Sequence, residues 1–516
     1  MGINEAPPPA AFSVRRNDSL PALAFAAGVV PGAPQIDVVC GAGVEVSESN
    51  VIAGAWAGDF GQLGMDRAAT SVGTGLALTA EGLVGLVGTA SASALYYCRV
   101  GQRLTVANTL ALALAAADDD LVTSEPFYAN DMATFVMDDP TYRNAMRTQR
   151  GTLSVFYGTM RILPDLRLLP VTPPSPPDFP DFATYRAYLV DHVRRVFDNA
   201  ADPRRRRRFQ PIAALSAGYD SPAAAAIARA AGCREAVTFG QPHDRSDGND
   251  DSGSAIATAL GLDVTEYRTH DYRRRDDLPE VEFIASSYTG GQVYLASAGD
   301  RLRERLVLSG YGGDRVWDPG YGRVPLRSPF SIGGYSQNEF FARLPALDFA
   351  VPMIGSINGR AIGAISRSQA MAAWSVGGDY DRPIPRRIVE EAGVARGAFG
   401  ARKQRAAPDY DNFARRTLDL AAFLTPAALR AFDDWMTRER PISRARALGH
   451  GLLLRSVGAL LWSNKLRRAL LRRGIAWPPF ASRLLRLKVP IRRNAYVFNW
   501  AVAEQVRRHR RALAQG

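Results

Sequence analysis

The alternation of apolar and polar positions changes character along the chain. Up to about residue 165, short alternating apolar runs such as Gly82-Leu-Val-Gly-Leu-Val-Gly88 and Ala94-Leu-Tyr-Tyr-Cys98 recur against Gly, Ala, Val and Thr. That period of two predicts strands. Pro170-Val-Thr-Pro-Pro-Ser-Pro-Pro-Asp-Phe-Pro180 breaks helix and sheet alike and marks a boundary loop. A helix is predicted over 182–199. After the arginine run Arg204 to Arg208 the pattern becomes strand, loop, helix, repeated to about residue 320, which requires a parallel sheet with covering helices. From about Asn412 the spacing is helical, in 418–424 and 452–461, and it ends in a basic helix. The expected fold class is therefore α/β. A β-rich region spans 1–169 and a linker and helix 170–204. A Rossmann-like, doubly wound parallel-sheet domain with a helical C-terminal part spans 205–516.

Composition narrows the classes. A chain of 516 residues, 47% of them hydrophobic, is long enough for two or three packed domains. Cys40, Cys98 and Cys233 are far apart and form no CxxC pair, which excludes a zinc ribbon or disulfide framework and suits a reducing cytoplasm. His192, His243, His270, His450 and His509 are equally dispersed, so the metal to expect is oxygen-bound magnesium. The net charge of +12 raises nucleic acid as a partner, but lysine occurs only at Lys403, Lys465 and Lys488. Arginine has thus replaced lysine throughout, and no nucleic-acid module accompanies the charge. Arg15-Arg16 before Leu20 to Val30 has the outline of a twin-arginine signal, yet Asn17 and Asp18 stand where apolar residues belong. The longest apolar stretch, Leu104 to Ala117, is shorter than the roughly 20 residues of a membrane span. A soluble, cytoplasmic protein is the expectation.

The chemistry concentrates in three segments. In Phe209-Gln-Pro-Ile-Ala-Ala-Leu-Ser-Ala-Gly-Tyr-Asp-Ser-Pro222 an apolar strand delivers Ser216, Gly218, Asp220 and Ser221 to the start of an alanine-rich helix. Small residues let the backbone approach a phosphate, hydroxyls and first-turn amides bind it, and a carboxylate can hold magnesium. The same outline also occurs as a plain helix cap. Arg305-Leu-Val-Leu-Ser-Gly-Tyr-Gly-Gly-Asp-Arg-Val-Trp317 repeats the strand-to-glycine turn with Gly312 and Asp314. The third segment runs from Arg382-Pro-Ile-Pro-Arg-Arg-Ile-Val-Glu-Glu-Ala-Gly393 to Phe399-Gly-Ala-Arg-Lys403.

Together these resemble the asparagine synthetase-like family of the ATP pyrophosphatase superfamily, over about residues 205 to 405. The first segment is similar to its Ser-Gly-Gly-x-Asp-Ser loop, with Ala217 at the middle glycine, and the second to its Ser-Gly-Glu-Gly-x-Asp-Glu motif, with Arg315 at the last Glu. The resemblance implies ATP and Mg2+ as cofactors. Pyrophosphate would lie on the Ser216 to Ser221 loop, metal on Asp220 and Asp314, adenine by Phe239 and Gly240, and Lys403 on the reacting phosphate. Gly88-Thr-Ala-Ser-Ala-Ser-Ala-Leu-Tyr-Tyr97 is similar to the glutamine amidotransferase domain that precedes such cores. Gly2, however, stands where glutamine-hydrolysing members have their nucleophilic cysteine, so this domain would be degenerate.

Tyr311 replaces the Glu of the ammonia-using synthetases, as in the β-lactam synthetase branch, where the tyrosine works with a carboxylate. A phenol of ordinary pKa about 10 needs such a partner, and Glu339 and Asp348 are the candidates. The implied reaction is adenylation of a substrate carboxylate followed by attack of an amine. The product would be a lactam or macrolactam, lasso-peptide macrolactam synthetases fitting as well as β-lactam synthetases. An ammonia-dependent asparagine synthetase-like enzyme, a tRNA-modifying ATP pyrophosphatase and a non-catalytic nucleotide-pocket module stay open. The basic C-terminal face is read as a solvated face or as a docking surface for an acidic substrate, a leader peptide or a partner protein.

Overall fold

The structure is a computed structural model that describes residues 11–136, 145–240, 251–286, 290–320, 338–378, 380–400, 419–443, 445–452 and 491–516. Residues 11–170 build two largely antiparallel sheets. One runs β1 (Ala11–Arg16), β3 (Gln35–Cys40), β2 (Phe25–Val29), β9 (Arg103–Ala107), β8 (Leu95–Val100), β11 (Thr152–Phe156), β10 (Ala145–Arg147). The other runs β13 (Leu168–Pro170), β12 (Met160–Ile162), β7 (Gly82–Val87), β6 (Ser71–Thr79), β5 (Asn50–Trp56), β4 (Glu45–Val46). Arg15 and Arg16 are in β1, and the apolar stretch after them contributes β2. The apolar run Leu104 to Ala117 splits into the end of β9 and the helix Leu110–Ala116, which Thr109 caps by accepting from Leu112 N.

Beyond Pro170, which closes β13, the proline-rich stretch carries neither helix nor strand. Asp181 then caps the helix Phe182–Ala201 by accepting from Thr184 N at 2.8 Å. The alternation beyond it forms the expected parallel sheet: β14 (Gln210–Leu215), β15 (Glu235–Gly240), β16 (Asp263–Arg268), β17 (Arg305–Ser309) and β18 (Leu347–Ala350). Their order is β16-β15-β14-β17-β18, so the chain reverses its direction of winding between β14 and β17. Open α/β sheets bind ligands at such a switch point, outside the carboxyl ends of the strands. Helix Asp220–Ala231 follows β14 and ends at Gly232 in the left-handed conformation, φ 119°.

Three arginines of the run, Arg204, Arg205 and Arg207, have partners within the chain. Arg205 is buried against the rings of Trp56, Phe60 and Phe209 and donates to Asn199 Oδ1 at 3.0 Å. Arg204 pairs with Asp59 and Asp202 at 2.7 Å each, and Arg207 with Glu304 at 2.5 Å. The basic C-terminal helix Val497–Gln515 likewise turns out to be a packing element, burying Phe498, Trp500, Val502 and Val506. It packs on helix Leu110–Ala116 and on helix Pro279–Ser286. Its polar groups reach both: Asn17 Nδ2 donates to Ala512 O at 2.9 Å, Arg510 to Asp119 O at 3.0 Å, and Arg508 to Asp277 O at 3.2 Å. No helix among the described residues is long and apolar enough to cross a membrane.

Glu280 lies in this packing with no exposed surface, and its carboxylate accepts from Thr425 N. Burial pushes it up to about 7. The folded state therefore prefers the protonated acid: the stability that preference contributes is complete below the ordinary carboxylate range and lost as pH rises through about 7. Glu280→Gln keeps the acceptor and removes the charge. Its stability should match the wild type at pH 4 and exceed it at pH 8 by an amount on the order of 2–3 kcal/mol, read from paired thermal melts.

Candidate active site

The loop after β14 is a hydroxyl and amide cradle. Ser216 N donates to Ser221 Oγ at 3.0 Å, and the hydroxyls of Ser216 and Ser221 are 2.8 Å apart. Gly218 N points at Ser216 Oγ at 3.4 Å. Asp220 follows in the first turn of the helix, where backbone N–H groups and the helix dipole favour an anion.

Asp251 joins the cradle from the side. Ala217 N donates to Asp251 O at 3.1 Å and contacts its Oδ1 at 3.3 Å, and Ser216 bridges to Ser252. The neighbouring backbone is locked by Thr238 Oγ1, which accepts from Gly253 N at 2.7 Å and donates to Leu215 O at 2.9 Å. Asp251 is buried. Asp251 was not among the residues singled out in the sequence; the paired carboxylates Asp250 and Asp251 ahead of the helix Ser254–Ala259 were the available signal.

The second loop meets the first directly. After β17, Gly312 adopts φ +79°, a conformation that favours glycine, and the short helix Gly313–Val316 carries Asp314, exposed, in its first turn. A Cβ at Gly310 would stand 2.7 Å from Asp220 O and closer to the Asp220–Ser221 peptide. One at Gly313 would stand 2.5 Å from Asp220 Cγ and 2.7 Å from Asp220 Oδ1. These glycines seat the second loop on the Asp220 carboxylate and on the helix start.

The third segment closes over both. Arg382, buried, donates to Asp314 O at 3.1 Å and pairs with Asp318 at 2.7 Å. Arg386 hydrogen-bonds the Tyr219 hydroxyl and lies over the rings of Tyr219 and Phe399. Gly400 N donates to Ala217 O at 2.9 Å. Lys403, three residues further on, lies outside the described residues.

At the end of β15, Phe239 packs edge-on against Tyr294 at 4.8 Å, and Gly240 passes close to the Glu266 side chain. Tyr311 is partly buried against the core. The two carboxylates considered as its partners have different neighbours. Glu339 is buried and its Oε2 is 2.9 Å from His509 Nε2 of the C-terminal helix. Asp348 Oδ1 accepts from Ser309 Oγ at 3.3 Å, two residues before Tyr311, and its Oδ2 accepts from Ala92 N at 3.1 Å. Desolvation by the surrounding protein pushes Asp348 up to about 6.

Among the described residues no group of three or more His, Cys, Asp or Glu side chains is assembled to hold a metal ion. One or two carboxylates completed by phosphate oxygens are the donor set magnesium takes, and Asp220 and Asp314 supply carboxylates of that kind on facing loops.

Gly310→Ala should force the two loops apart. The expected cost is about 1–3 kcal/mol in denaturant unfolding. No protein-family model matches the chain, and no curated protein matches it.

Proposed function

We propose that this protein is an AMP-forming, ATP-dependent carbon–nitrogen ligase that adenylates a substrate carboxylate and joins it to an amine, as a lactam or macrolactam synthetase. The observation that carries the reading is the contact of two glycine loops, one with Asp220 and one with Asp314, at the switch point of a parallel sheet. The likeness of three ordered motifs to asparagine synthetase-like enzymes supports it.

In this mechanism a substrate carboxylate oxygen attacks the α-phosphorus of ATP, the α–β bond breaks, and pyrophosphate leaves into the Ser216–Ser221 cradle. Magnesium, held by Asp220 and Asp314, would neutralise charge on the phosphates. Phe239 and Gly240 border the adenine, and Lys403 stabilises the negative charge on the α-phosphate. The amine nitrogen then attacks the acyl carbon and AMP departs. Its proton passes by way of Tyr311 to a carboxylate. Asp348, hydrogen-bonded to Ser309 of the Tyr311 motif and titrating near 6, is the better acceptor; Glu339 already faces His509. The amine is taken to belong to the substrate itself rather than to released ammonia, because Tyr311 stands where the ammonia-using synthetases have Glu.

AMP and pyrophosphate release from Mg-ATP, followed with producer-cell extract as substrate source, tests this. Asp220→Ala should abolish release. Asp348→Asn should retain ATP binding and lower amide formation by about 10²–10⁴-fold. A product lighter by one water than a single precursor identifies lactam formation. Absence of both ATP binding and turnover in the intact protein overturns the proposal.

A further inference from the structure

The stretch Gly88 to Ala94 has no part in the mechanism above, yet it reaches the parallel sheet. It follows β7 and is tied to β6: Gly88 N donates to Gly73 O at 2.8 Å, Ala90 N to Ser71 O at 2.9 Å, and Ser71 N to Thr89 Oγ1 at 3.0 Å. On its other side Ala350 N donates to Ala90 O at 2.8 Å. The segment therefore lies along the free edge of β18, the last strand of the parallel sheet. Small side chains permit this approach, for Ala90 and Ala92 are both buried. Asp348, Ala92, Ser93, Thr74 and Asn108 line a cavity of about 30 Å³ at the junction.

We infer that the N-terminal β-rich region completes the acyl-transfer site, the backbone N–H of Ala92 being the group that positions Asp348 and keeps it ionised. The inference builds on the reading of Asp348 as the proton acceptor. One carboxylate oxygen is held by Ser309 of the synthetase motif and the other by Ala92, 256 residues away in sequence. An N–H donated to a carboxylate favours the charged form, which here opposes the desolvation that favours the acid. The titratable group from the packed elements that acts on Asp348 is the Tyr294 phenol, which also feels Asp251 and which burial holds neutral. No cation among the described residues acts on Asp348, so backbone and hydroxyl donors carry the stabilisation of its charge. On this reading the β-rich region supplies a fixed hydrogen-bond donor to the site.

The test removes one hydrogen atom. Incorporating the α-hydroxy acid analogue of alanine at position 92 replaces the amide by an ester and leaves the side chain unchanged. Ala92→Gly, which keeps the N–H, is the control, and Ala92→Pro is a second N–H deletion. Asp348 is titrated in the full chain by pH-difference infrared spectroscopy, with Asp348→Asn as the blank. In the ester variant its midpoint should rise by about one pH unit, and the acid limb of the amide-forming rate should move with it, a roughly fivefold loss at pH 6. Ala92→Gly should leave both in place. A folded ester variant whose midpoint and acid limb are unmoved overturns the inference, even where Asp348→Asn is inactive. Full amide formation by Asp348→Asn would instead sink the assignment of Asp348 as proton acceptor, whatever the titration shows.

Discussion

The close approach of the second glycine loop to Asp220 is the constraint on which the rest depends. Gly310 and Gly313 leave no room for a Cβ between the loop and the first turn of helix Asp220–Ala231. Carboxylate, helix N-terminus and second loop are consequently packed directly against one another. Arg382 extends this packing by gripping Asp314 O and Asp318, and Gly400 N by gripping Ala217 O. For the proposed reaction such preorganisation would matter, since donors already in place need no reorganisation as charge develops.

Local features of the chain were legible in sequence because they depend on local physics. Period-two runs, a proline block and a strand-glycine-helix junction each carry their own signature, and the β-rich start, the break at Pro170 to Pro180 and the parallel sheet follow from them. The two loops were visible as motifs. What escaped were pairings across long sequence distance. Asp251 carries no motif of its own, and its contact with Ala217 N spans 34 residues. Glu339 and Asp348 are nine residues apart and equivalent on paper. Only tertiary packing sends one to His509 and the other to Ser309 and Ala92. The arginines that give the chain its basic balance likewise have partners that only the fold reveals, one stacked among three rings and others paired with nearby carboxylates.

The interior holds several acids at a cost, and the cost is met differently at each. Glu282 is paired with Arg343. Glu339 has His509, while Glu280 has a backbone N–H and is pushed towards neutrality by burial. Asp348 sits between these cases, with two neutral donors and a proton affinity in the range of useful acid–base chemistry. The first three surround the junction with the C-terminal helix, where they fix packing. The last borders the motif loop.

The C-terminal helix also sets an order of events during synthesis. Asn17 hydrogen-bonds Ala512, 495 residues later, and Arg510 closes on Asp119 across 391. A ribosome adding roughly 5–20 residues per second makes the first member of the Asn17 pair about 25–100 s before the second. Over that interval the apolar faces that will receive Phe498, Trp500 and Val502 stay uncovered. A chaperone that shields those faces, or slow local translation that lets the two β-sheets settle first, would therefore affect the yield of folded protein more than most changes in the mature interior.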